Sequence, residues 1–225
     1  MNDQALLNPK SHEKRLRLAR IRSGMSWRMR LIRDSIRRGL HGALGVRSVQ
    51  WARVVMDQHT YDFVSRLDTA SMDALEISGA KWSMLPFKTF RSVSYPDFDI
   101  CNGVVGHSCF DIVFAEQVLE HVRWPSRAVR NVHDMLRPNG WFVVTTPFLL
   151  RLHPMPNDCT RWSAEGLRYF LGEAGFDDAM IQTGSWGNRA CVKGNFKEWA
   201  LWTPWVHSLR NEPDFPVVVW AFARR

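Results

Sequence analysis

The 225-residue sequence has no run of about 18 apolar residues, the length that a bilayer-crossing helix needs. A helical membrane span is therefore excluded. Behind the charged, polar first residues there is also no continuous apolar stretch of the secretory kind, and the protein is expected in the cytoplasm. Cysteine is sparse. Cys101, Cys109, Cys159 and Cys191 form no CxxC pair and have no Cys/His spacing suited to zinc. They read as reduced thiols, which excludes a disulfide scaffold and leaves the sequence without an evident set of metal ligands. No internal repeat or low-complexity tract is present. Glycine is short where it would be most informative: after the first predicted strand, "DALEIS", only Gly79 appears, in "SGAKW".

Charge is unevenly placed. Residues 1–53 carry 13 Lys and Arg against three acids, a net of +10, and the remainder carries 17 against 19, a net of −2. The basic character belongs to the N-terminal segment. There Leu18, Ile21, Met25, Met29, Ile32, Ile36 and Leu40 recur every three or four residues, so residues 10–45 are predicted to form an amphipathic helix with arginines on its other faces. A second, shorter helix is predicted from about Val49 to Leu67. Residues 1–68 are read as a basic helical extension and 69–225 as a separate domain. Three partners suit the basic helix: the domain itself or a second copy of the chain, an anionic membrane surface, and nucleic acid, in that order.

From Asp73 the texture changes to alternating strand and helix. "DALEIS", "FRSVSYP", "FDIVFAE" and "WFVVTTPF" read as strands. "FDIVFAE" is apolar on both faces, as a central parallel strand should be. "SRAVRNVHDML" and "SAEGLRYFLGEAGF" read as helices, the first ended by a turn at "RPNG", the second capped by Ser163 and stopped at Gly175. "DAMIQTG" and "FPVVVWAFA" are two late strands. This alternation predicts an α/β, Rossmann-like three-layer sandwich with a mostly parallel sheet.

"FDIVFAEQVLEHV" followed by "PSRAVRNVHDMLRPNGWFVVTTP" resembles the class I S-adenosylmethionine-dependent methyltransferases, in particular the small-molecule branch with an "LEH" helix and an "LRPGG" turn (the methyltransferase type 11-like members). The match covers roughly residues 73–180. "HPMPNDCTRWSAEGLRYFLGEAGF" looks like the corresponding region of members in sugar and polysaccharide biosynthesis. The resemblance implies seven strands, the last inserted antiparallel, and S-adenosyl-L-methionine as cofactor. It also shows a departure. The family's first motif is acid-x-Gly-x-Gly, and here Glu76 supplies the acid while Ser78 and Ala80 stand in place of the glycines. Glu76 and Asp111 are 35 positions apart, which is short for the family, so the helix after the first strand is expected to be shortened or lost.

The resemblance places cofactor contacts at Glu76, Ser78, Gly79 and Ala80, with a plain strand and turn as the competing reading. An acid after the second strand should hold the ribose. Asp97 and Asp99 both qualify, and Asp97 is favoured because it comes sooner. Phe114, Glu116 and Gln117, at the end of the third strand, are expected near the sulfonium. His121 is a further candidate, with Glu120 beside it at the start of the following helix. For chemistry, His153, Asp158 and Arg161 follow "VVTTPF". His153 would act as general base, Asp158 would orient it, and Arg161 would hold an anionic group. The competing reading is a loop stitched by an Asp158–Arg161 ion pair. Trp186, Gly187, Asn188, Trp199, Trp202 and Trp205 form a late group suited to core packing or to stacking on sugar.

The function these features imply is O-methylation of a small molecule or a sugar-bearing intermediate by an S-adenosylmethionine-dependent methyltransferase. One alternative is a catalytically silent methyltransferase-like protein serving in an assembly. A second is an RNA methyltransferase that uses the basic arm. Nucleic acid is the least favoured partner, because the domain body is slightly acidic and "AEQV" lacks the Asn/Asp-Pro-Pro-aromatic loop of many nucleic-acid amino-methyltransferases.

Overall fold

The computed structural model describes residues 49–225. The basic helix expected over 10–45 lies outside them. The first described element, α1 (Arg53–Val64), falls within the second predicted helix. It is followed by β1 (Asp73–Ile77), β2 (Thr89–Val93), β3 (Phe110–Glu116), α2 (Pro125–Met135), β4 (Leu136–Pro147), α3 (Ala164–Glu173), β5 (Gln182–Trp186), α4 (Arg189–Gly194) and β6 (Val218–Arg224). The compact unit runs from Val49 to Arg225 and so includes α1, which the sequence pattern grouped with the extension.

The six strands lie in the order β2-β1-β3-β4-β6-β5. β2, β1, β3 and β4 pair in parallel, and β6 runs antiparallel between β4 and β5. Among the described residues there are therefore six strands, not seven. Residues 94–109, between β2 and β3, hold no helix or strand and leave no room for another β-α unit. The inserted antiparallel strand is present as expected. The chain steps outward from β1 to β2 and then back across to β3. This reversal opens a crevice at the carboxyl ends of β1 and β3, where open α/β sheets bind ligands.

Period-two alternation sorts the strands onto two cores. Val113 and Ala115 of β3 face α2 and α3, against Ala128, Val129, Val132, Met135, Leu167 and Leu171. Ile112 and Phe114 face the other way, against Met56 and Val64 of α1, Trp82, Val143 and Trp220. On that side Phe63 stacks on Phe222 at 4.0 Å and meets Trp141 edge-on at 5.0 Å. Each fully buried Val, Leu or Phe contributes about 1.5–3 kcal/mol.

The helices begin and end for local reasons. Pro125 takes the first position of α2, where no N–H is needed. The Ser163 hydroxyl accepts from the Gly166 amide at the start of α3. Gly175, at φ +109°, turns the chain out after it. The "RPNG" segment departs from expectation. It is a bulge within β4: Leu136 pairs with Phe110 and Trp141 with Ile112, so the residues between them loop out, Asn139 at φ +68°.

The opposite, amino-terminal edge is tied by charge. Asp111 Oδ2 accepts from the Asp73 amide (2.8 Å) and from Arg137 Nη1 (2.6 Å), and Arg137 Nη2 lies 2.9 Å from Asp73 Oδ2. The Thr89 hydroxyl, then Arg137, hold the Asp73 carboxyl below its usual pKa. A folded-state pKa below the unfolded one gives stability that is present above the ordinary carboxylate range. That stability is lost as pH falls through the folded value. Asp73→Asn should therefore flatten the decline in urea-measured stability below about pH 4; an unchanged acid limb would show that the tie carries no linkage.

Candidate functional site

The strand β1 delivers Glu76 to its carboxyl end, 3% exposed. The carboxylate does not point into open space. Its Oε1 accepts from the Lys81 amide (3.1 Å) and its Oε2 from the Trp82 amide (2.9 Å). A single 3-10 turn, Lys81–Met84, replaces the helix that would follow this strand, as the short Glu76–Asp111 interval predicts. Burial raises the Glu76 pKa, and the two amides oppose that rise. Gly79 is needed because of this side chain: a Cβ there would lie 2.5 Å from Glu76 Oε1. The left-handed residue of the loop is Ser78, at φ +65°, and not the glycine. Its amide donates to Val93 O at 2.7 Å, which fixes the unusual conformation from β2.

At the end of β3 the same device recurs. Gln117 sits at φ +56°, its amide donating to Thr145 O at 2.9 Å and its side chain to Thr145 Oγ1 at 3.3 Å. Non-glycine residues in this region cost of order 1–3 kcal/mol and cluster at functional sites. Here they flank a cavity of about 770 Å³ whose lining includes Ser78, Tyr95, Phe98, Asp99, Gln117 and His121. That volume falls within the range of small-molecule and cofactor sites.

Of the nine expected cofactor residues, Ser78, Gln117 and His121 line this cavity. The other six do not. Glu76, Gly79 and Ala80 build the loop behind it. Asp97 is exposed and outside the lining, whereas Asp99, the other acid of that segment, lines the cavity. Asp99 Oδ1 accepts from the Cys101 amide (2.9 Å) and Oδ2 from the Asn102 side chain (2.7 Å), which anchors the carboxylate and leaves it further lone pairs. Phe114 is fully buried and stacks on Trp82 at 4.7 Å. Glu116 is bound on all sides: Lys81 Nζ at 3.0 Å, Arg53 Nη2 at 3.2 Å and Trp82 Nε1 at 3.2 Å. Lys81 also reaches Asp57 of α1 at 3.2 Å. Glu116 thus locks the shortened loop onto α1.

The three expected catalytic residues converge. Asp158 accepts from the His153 amide (2.8 Å) and from both terminal nitrogens of Arg161 (2.5 and 2.7 Å). The Arg161 bonds lower the Asp158 pKa. The ion pair of the competing reading is therefore present. His153 is not an exposed bystander: its side chain is 18% exposed and its ring lies edge-on to His121 at 5.1 Å. Trp199 of the late aromatic group closes on His153 at 5.3 Å, and Trp186 is buried in the core. Neither His153, Asp158 nor Arg161 lines the cavity, but Met155, Pro156 and Asn157 of their loop do.

"LEH" is a 3-10 turn, Leu119–His121, and not the opening of α2. The Glu120 side chain is fully buried, and neither carboxylate oxygen has a hydrogen-bond partner. Burial pushes its pKa up to about 7. The sequence offers no sign of this, because a Glu beside a His in a polar turn is ordinarily solvated.

A family model described as a methyltransferase domain matches residues 44–184. The chain belongs to that methyltransferase family, and the fold is that of the class I S-adenosylmethionine-dependent enzymes. No curated protein matches it by sequence. Among solved structures, a chain in the complex of the Haloferax volcanii methyltransferase activator Trm112 with a methyltransferase is 12% identical. The match covers 85% of this chain and 96% of that one, with a TM-score of 0.51. Phosphoethanolamine N-methyltransferase 2 of Haemonchus contortus, solved with S-adenosyl-L-methionine, is 11% identical over 80% of this chain and 54% of its own, also at 0.51. A Mesorhizobium loti S-adenosylmethionine-dependent methyltransferase is 14% identical over 73% and 96%, at 0.48. At these identities the likeness is one of fold. No helix of the described residues is long and apolar enough to cross a membrane.

The lock at Glu116 is directly testable. Glu116→Ala leaves Trp82 Nε1 without its acceptor and Lys81 with Asp57 alone, and should cost about 1–3 kcal/mol in chemical denaturation, with Glu116→Gln costing less. Equal stability of all three proteins would show that the lock is idle.

Proposed function

We propose that the protein transfers the methyl group of S-adenosyl-L-methionine to an oxygen of a small molecule or sugar-bearing acceptor. The observation that carries this reading is the cavity at the carboxyl ends of β1 and β3, with an anchored carboxylate, Asp99, and two aromatic rings, Tyr95 and Phe98, in its wall. A carboxylate suits a ribose diol, and aromatic faces suit an adenine. Ser78 and Gln117, held by β2 and β4, present the polar edge at the opposite strand exits.

The bound cofactor supplies an electrophilic methyl on a sulfonium. Transfer forms an O–C bond at the acceptor and breaks the C–S bond, whose electron pair stays on sulfur to give a neutral thioether. The acceptor hydroxyl must lose its proton, to the imidazole of His153 or to solvent water. Positioning of the two reactants accounts for much of such a rate. The acceptor end is assigned to the loop 151–161, which borders the cavity and carries His153 against His121.

Calorimetric titration with S-adenosyl-L-methionine tests the reading. The protein should bind it, Asp99→Ala should weaken binding about tenfold or more, and Asp97→Ala should leave it unchanged, since a hydrogen bond to a charged group is worth about 1.5–3 kcal/mol. No binding at millimolar cofactor would favour the silent, assembly-type alternative.

A further inference from the structure

Three groups meet where the turn Leu119–His121 touches the loop after β4. Glu120, His121 and His153 each offer a ligand atom, and these atoms lie within 4.8 Å of one another. The His121 Nε2 to Glu120 Oε1 separation is 3.7 Å. Ligand atoms around a tetrahedral ion with bonds of about 2.0–2.2 Å sit about 3.3–3.6 Å apart, so modest side-chain rotation closes the set.

The protonation pattern fits an ion. His121 donates from Nδ1 to Asn157 O at 2.5 Å, and His153 Nδ1 lies 3.2 Å from Arg151 O and 3.4 Å from Asp158 Oδ2. Both rings thus spend Nδ1–H on a carbonyl or carboxylate and keep the Nε2 lone pair free. This is the arrangement that orients metal-bound histidines. The Glu120 carboxylate is the independent sign. It is fully buried with no hydrogen-bond partner on either oxygen, and the nearby Arg161 is committed to Asp158. A buried carboxyl without a partner either stays protonated or takes up a cation, and here both oxygens are free to hold one.

We infer that Glu120, His121 and His153 form a binding site for one divalent transition-metal ion, of the zinc or cobalt class, beside the cavity. Two imidazoles and one carboxylate are a donor set that such ions favour, and three protein ligands leave a position open. His121 also lines the cavity. Resting on the proposed methyl transfer, that open position would take the acceptor hydroxyl and make its proton easier to lose. His153 is then a ligand and not the general base that the sequence suggests.

The test uses the full, untagged chain stripped of metal and titrated with Co²⁺, followed by visible absorption and by displacement with Zn²⁺. One equivalent should bind. Glu120→Gln and His153→Ala should each weaken binding at least about tenfold, a ligand being worth no less than the partners that orient it. No binding by the parent protein at millimolar Co²⁺ would overturn the site, as would unchanged affinity in His153→Ala, which serves if Glu120→Gln does not fold. S-adenosyl-L-methionine titrations with and without chelator separate the two readings. Cofactor binding without metal binding refutes the site alone, and metal binding without cofactor binding refutes the proposed transfer alone.

Discussion

The carboxylate of Glu76 holds the amides of Lys81 and Trp82, and the site is built around that contact. With those two bonds, one 3-10 turn does the work of a full helix after β1. The turn sets Trp82 against Phe114 and directs Lys81 to Glu116, which also takes Arg53 of α1. A loop that usually depends on glycine freedom depends here on a buried acid and its neighbours. A Cβ at the single glycine would press on the carboxylate of that acid.

This arrangement explains why two strand exits can carry left-handed Ser78 and Gln117. Each is clamped by a hydrogen bond to the adjacent strand, so a conformation that most residues avoid is over-determined. Both present polar side chains to the cavity. The Asp158–Arg161 pair braces the loop that brings His153 to His121.

Much of the fold was legible in sequence. "FDIVFAE" is β3 to the residue, and the spacing of Ala128, Val129, Val132 and Met135 marks the buried face of α2, because period and burial are local patterns. The site was less so. Asp97 and Asp99 are alike in sequence, and only the fold exposes the first and sets the second in the cavity wall, bonded to Cys101 and Asn102. Phe114 and Glu116 were expected at the cofactor because they end a central strand. Which side of the sheet they serve depends on Trp82 and α1, elements distant in sequence. Glu120 was silent because burial without a partner is a tertiary property.

A crystal structure of the protein with S-adenosylhomocysteine tests the central claim most directly. The ligand should lie in the cavity at the carboxyl ends of β1 and β3, its ribose on Asp99, with Glu76 still bound to the Lys81 and Trp82 amides. A ligand bound elsewhere, or a loop that releases Glu76 to reach it, would contradict the account.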